Sequence, residues 1–107
     1  MIFIETHLFS KQISQYLTED EYRELQIYLM EQPSAGAIIQ GTGGLRKLRW
    51  TLGNKGKRGG IRVIYYWQLA ENQIYLMTLY AKNEMENLSS EEKKILKQMI
   101  ARWKYEN

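Results

Sequence analysis

Apolar residues at Leu8, Phe9, Ile13, Tyr16 and Leu17 recur three and four positions apart, the spacing that gathers side chains on one face of a helix. They follow residues 1–6, a short apolar run that reads as an opening strand. Thr18 and Glu21 then have the spacing of a capping box, in which hydroxyl and carboxylate each satisfy an otherwise orphaned helix-start amide. Leu17 and Tyr22 are placed as a hydrophobic staple across that boundary. A second helix is expected there. Its stripe runs through Tyr22, Leu25 and Leu29 and stops before Pro33, the single proline, which disfavours helical geometry at Gln32. The two helices are expected to form a hairpin.

Gly36, Gly41, Gly43 and Gly44 then break all periodicity. Residues 45–52 alternate basic and apolar positions, as a strand with two unlike faces does, and Lys47 and Arg49 fall on the same face. A glycine-rich loop through residues 53–60 leads to the β-branched and aromatic run 61–69. A turn at Glu71 and Asn72 leads to a third such run, residues 73–82. These three runs predict an antiparallel meander. Ser89 and Glu92 form another capping box, and Ile95, Leu96, Met99, Ile100 and Trp103 mark one face of a C-terminal helix. The expected fold class is α+β in the order βααβββα. It combines an antiparallel sheet with an N-terminal helical hairpin and a C-terminal helix, the helices packed on one face.

A chain of 107 residues with 44% apolar composition suits one domain spanning residues 1–107. No run approaches the roughly 18 to 20 apolar residues needed to span a bilayer, and the start lacks the features of a signal peptide. The expected location is therefore the cytoplasm, without membrane association. Zero cysteines exclude disulfides, thiolate metal sites and cysteine nucleophiles. His7, the single histidine, cannot by itself build a zinc site or a Ser/His/Asp triad. The net charge of +3 hides an asymmetry. Residues 32–70 contain no acid yet carry Arg46, Lys47, Arg49, Lys55, Lys57, Arg58 and Arg62, while the rest of the chain is net acidic. Such a concentrated positive field favours polyanions, nucleic acid above all.

The stretches Gln40-Gly-Thr-Gly-Gly-Leu-Arg-Lys-Leu-Arg49, Gly56-Lys-Arg-Gly-Gly-Ile-Arg-Val-Ile-Tyr-Tyr66 and Leu79-Tyr-Ala-Lys-Asn-Glu84 resemble the RelE/HigB superfamily of type II toxins, most closely its HigB-like branch of killer proteins. The resemblance covers nearly the whole chain in element order. It implies a ribosome-dependent messenger RNA endonuclease that inhibits translation, needs no metal or cofactor, and is neutralised by a cognate antitoxin, expected to carry a helix-turn-helix segment. It also implies roles. Lys47 and Arg49 match a basic pair that acts near the 2′-hydroxyl, and Arg62 matches an arginine that contacts the phosphate. Where related patterns carry a further arginine and then a tyrosine, this chain has Lys82-Asn83-Glu84 and Leu88. Lys82 is the candidate replacement for the missing cation. The proton donor stays open among Tyr65, Tyr66 and Tyr80.

The residues support that chemistry on their own terms. RNA carries its own nucleophile, the ribose 2′-hydroxyl, so an enzyme that holds the reacting atoms in line and stabilises the phosphate oxygens needs cations above all. Two cations on one strand and Arg62 on the next can converge on one phosphate, and a planar guanidinium fork binds two of its oxygens at once. Arg62, at the start of its strand, is expected to be exposed. Arg46, Lys55, Lys57 and Arg58 are candidate contacts to RNA or the ribosome. Competing readings are an ordinary solvated strand face for Lys47 and Arg49, a structural ion pair for Arg62, and a plain solvated turn for the loop. Two other functions compete as well: a ParE-like toxin that acts by protein binding, and a non-catalytic RNA- or ribosome-binding module.

Overall fold

In the computed structural model, residues 1–51, 60–85 and 87–106 are described. The elements run β1 (Ile2–Glu5), α1 (His7–Tyr16), α2 (Glu19–Glu31), β2 (Ala37–Ile38), β3 (Leu45–Trp50), β4 (Ile61–Gln68), β5 (Gln73–Ala81) and α3 (Ser90–Glu106). The expected order holds, with one addition. β2 is a two-residue strand paired antiparallel to β3, Ala37 opposite Lys47 and Ile38 opposite Arg46. Thr42 closes the turn that joins β2 to β3. Its hydroxyl donates to the Ile39 carbonyl at 2.6 Å and accepts from the Leu45 amide at 3.1 Å.

The sheet order is β1-β5-β4-β3-β2. The expected meander forms its centre, but the sheet is mixed, because β1 lies parallel to β5 with Ile2 opposite Gln73 and Glu5 opposite Leu76. Thr6 fixes the exit from β1. Its hydroxyl donates to the Met77 carbonyl at 2.6 Å and accepts from the Phe9 amide, which starts α1. Both capping boxes form: Thr18 and Glu21 exchange their bonds at the start of α2, and Ser89 and Glu92 do so at the start of α3.

Helices cover both faces of the sheet, which corrects the one-face expectation. Phe9, Leu17, Leu25 and Leu29 of the hairpin pack on Leu48, Ile61, Val63, Tyr65 and Leu76. On the opposite side Leu88, Leu96 and Ile100 pack on Leu45, Ile64, Tyr66, Met77 and Tyr80. The reason lies in β4, whose residues are apolar at both parities and buried from Ile61 to Tyr66. A strand apolar on both faces must be covered on both. A register shift between Ile64 and Tyr65 adds Met77 to the α3 side. The C-terminal half of α3 is anchored by Trp103, whose ring lies 4.7 Å from Tyr75 and edge-on to Tyr66.

Candidate nucleic-acid interface

Side chains alternate along a strand, so Lys47 and Arg49 share the α3 side of the sheet with Leu45, while Arg46 points to the hairpin side with Leu48. Arg49 lies directly opposite Arg62 in the β3–β4 register. Arg62 in turn lies opposite Tyr80 of β5, so Arg49, Arg62 and Tyr80 form one row across the sheet, with Lys47 two residues along β3. Like charges facing each other across two strands repel, and an anion between them relieves that repulsion. Such a row is suited to receive a phosphate.

The environments of the three cations differ. Arg49 is exposed. Lys47 is half-buried, and its ammonium donates to Asn87 Oδ1 at 2.9 Å, a neutral partner. Arg62 is only 7% exposed, and its Nη1 donates to the Ile61 carbonyl at 3.3 Å. The expectation of an exposed strand-end arginine is thus corrected: packing around the start of β4 buries the side chain. Gly60 admits the chain to β4 at φ +67°, where a side chain would collide with the Trp50 carbonyl. Lys82 follows the last residue of β5. Its side chain is exposed, and its amide donates to the Gly60 carbonyl at 3.4 Å.

Arg46 is committed elsewhere. Its guanidinium donates to the carbonyls of Ser34 at 3.1 Å and Gly36 at 2.8 Å and lies over the Trp67 ring. It therefore ties the α2–β2 connection to the sheet on the side away from Lys47 and Arg49. Lys55, Lys57 and Arg58 lie outside the described residues. Among the described residues no helix is long and apolar enough to cross a membrane, and no cluster of three or more His, Cys, Asp or Glu could hold a metal ion.

The family model of the RelE toxin of the RelE/RelB toxin-antitoxin system matches residues 2–106. The chain belongs to the RelE toxin family. Solved structures agree in fold. The E. coli RelBE toxin-antitoxin complex contains a chain similar at TM-score 0.55 and 12% identity, covering 75% of this chain and 94% of that one. The isolated E. coli RelE toxin gives TM-score 0.54 at 11% identity, covering 92% and 97% respectively. A mutant of E. coli RelE in the free state gives TM-score 0.55 at 13% identity, covering 79% and 86%. This protein is thus a type II toxin with the RelE fold.

The structure separates the tyrosines of this RelE-family toxin, which the sequence left equivalent. The Tyr65 hydroxyl lies on the hairpin side, donating to the Pro33 carbonyl at 2.7 Å and accepting from the Gly36 amide at 2.9 Å. Tyr66 is stacked under Lys104, whose ammonium lies 4.7 Å from the ring centre. Tyr80 stands in the row with Arg62. Burial pushes its hydroxyl pKa up, Arg62 pulls it back and Glu92 raises it further. Trp50 packs against Tyr28 with ring centres 5.2 Å apart, a core position. His7 is exposed at the first turn of α1. Glu84 accepts from the Tyr16 hydroxyl at 2.6 Å and the Ala81 amide at 3.1 Å, bonds that hold its carboxyl below the usual range and fasten the turn after β5 to α1. Sequence reasoning missed Asn87. Its link to Lys47 spans 40 positions and leaves no trace in local spacing.

Proposed function

We propose that this toxin is a metal-independent endoribonuclease that cuts messenger RNA on the ribosome by attack of the ribose 2′-hydroxyl. The cut leaves a 2′,3′-cyclic phosphate and a 5′-hydroxyl end. The observation that carries this reading is the opposed pair Arg49 and Arg62 with Lys47 on the same face. Arg62 grips the scissile phosphate, where charge grows as the new bond forms, and Lys47 and Arg49 act beside the 2′-hydroxyl. Lys82, at the end of β5, adds positive charge at the rim. Lys55, Lys57 and Arg58 hold the RNA backbone or ribosomal RNA, and Arg46 is reassigned to structure. Family membership supports a cognate antitoxin as partner. We infer that it carries a helix-turn-helix segment and shields the cationic face, and that the toxin acts in the cytoplasm, where ribosome-bound messenger is found.

The test is translation in a purified system with end-mapping of the messenger. The expected result is discrete cuts bearing cyclic phosphate ends. Arg62→Ala should slow them by roughly 100 to 1,000-fold, the scale of losing one preorganised donor. Because Arg62 is buried, its variants are compared at matched fractions folded, and Arg62→Lys should recover only part of the rate since the fork is lost. Translation arrest with an intact messenger would instead identify a binding-only toxin. A folded Arg62→Ala protein that cuts at the parental rate would remove Arg62 from the mechanism.

A further inference from the structure

Resting on the nuclease reading above, we propose that the Tyr80 hydroxyl donates the proton to the 5′-oxygen that leaves when the messenger is cut. Tyr80 is the register partner of Arg62 and shares its side of the sheet, so a phosphate gripped by Arg62 lies beside the phenol. The side chain is 4% exposed, and among the described residues its hydroxyl has no hydrogen-bond partner. A buried hydroxyl without a partner has given up water for nothing, and such a group calls for an explanation. An incoming phosphate ester oxygen supplies the missing partner. Tyr65 and Tyr66 do not compete, the first being bonded on the opposite face and the second packed beneath Trp103 and Lys104.

The hydroxyl is covered in the free chain, so RNA binding has to uncover it. Leu88 packs in the cluster that contains Tyr80, and its neighbour Asn87 is tethered to Lys47. A phosphate bound by Lys47 competes for the same ammonium, so RNA binding releases Asn87 and loosens the segment that carries Leu88. In the chemical step the 2′-oxygen bonds to phosphorus and its proton is lost to solvent. The bond from phosphorus to the 5′-oxygen breaks with its electron pair on that oxygen. The Tyr80 proton moves onto it, giving the 5′-hydroxyl product, and solvent then reprotonates the tyrosinate. Burial pushes the phenol pKa up and so keeps the proton on it at neutral pH, ready to be donated.

The test uses Tyr80→Phe and two messengers, one natural and one with sulfur replacing the bridging 5′-oxygen at a mapped cut site. Sulfur leaves as a thiolate and needs no proton. Tyr80→Phe should cut the natural messenger about 100 to 10,000-fold more slowly, the range of general acid catalysis, and the sulfur messenger at the parental rate. Its melting temperature should equal or exceed the parent's, because phenylalanine keeps the ring and removes the unpaired hydroxyl. Equal slowing on both messengers, or a lowered melting temperature with no sulfur rescue, would make Tyr80 structural and overturn the proposal. Parental cutting of the natural messenger would also overturn it. A parental toxin that cuts neither messenger would defeat the nuclease reading itself, and the proton donor with it.

Discussion

Arg46 and Lys47 are adjacent cations on opposite faces of the sheet, and replacing them is expected to have opposite effects. Arg46→Met keeps an unbranched stem near Trp67 and removes only the guanidinium, which holds the Ser34 and Gly36 carbonyls at 3.1 and 2.8 Å. A hydrogen bond from a charged donor contributes about 1.5–3 kcal/mol. The bond to Ser34 is exposed, so water replaces much of it, and the pair together should contribute about 2 kcal/mol. For a chain of this size that lowers the melting temperature by roughly 8 to 16 °C. Gly36 has no freedom to compensate, since a side chain there would meet the Tyr65 ring at 2.8 Å.

The measurement is thermal and urea unfolding of Arg46→Met beside Lys47→Met, with messenger cutting followed at a temperature where both are folded. Arg46→Met should lose stability and keep its activity per folded molecule. Lys47→Met should do the reverse, because among the described residues its ammonium bonds only to exposed Asn87. Amide exchange supplies a local readout, with protection falling first at the strand amides flanking Arg46. An Arg46→Met protein that melts with the parent yet fails to bind or cut RNA would show that this guanidinium faces the substrate. The assignment of the two sheet faces would then be wrong.

Two further outcomes are expected. Replacing Lys55, Lys57 and Arg58 by glutamate should flatten the plot of log RNA affinity against log salt by about 0.7 for each single-strand phosphate that the loop no longer neutralises, and an unchanged slope would remove the loop from the interface. The Tyr16–Glu84 hydrogen bond makes stability depend on pH at both ends. The Glu84 carboxyl lies below its usual value of 4.5, so its contribution is present above that pH and fades as pH falls through the lowered value. The Tyr16 hydroxyl is pushed up to about 12 by burial and by the Glu84 carboxylate, so its contribution is present below pH 10 and fades as pH climbs toward 12. Tyr16→Phe should flatten both limbs of the unfolding profile, and limbs of unchanged steepness would refute the assignment.

The sequence made the central strands legible because the pattern there is strong. Alternation over residues 45–50 separated Lys47 and Arg49 from Arg46, and the structure keeps that separation. The same parity argument applied to β4 already contained the two-sided burial. Ile61, Val63 and Tyr65 occupy one parity and Ile64 and Tyr66 the other, so helices on a single face would have left one set in water. That signal was present and supports more than a strand alone. The parallel pairing of β1 and the short β2 were illegible for another reason. Four and two residues carry too little pattern to name a partner, and what places β1 is Thr6 bonding to Met77 across 71 positions.

The site divides along the same line. Residue types and alternation identify which cations share a face, because a strand's geometry is local. They do not report depth, which is set by whatever crosses above, and Arg62, at a strand start, is 7% exposed. Depth changes the chemistry. An exposed arginine attracts phosphate through water, whereas one in a low-dielectric setting, directly opposite Arg49, stands where a phosphate gains far more from charge and from a fixed geometry. It also changes the meaning of Tyr80. On a bare strand this tyrosine is one aromatic among several. Packed in one cluster with Leu88, Leu96 and Ile100 it is a hydroxyl cut off from water beside a buried guanidinium, and tertiary packing rather than local pattern puts it there.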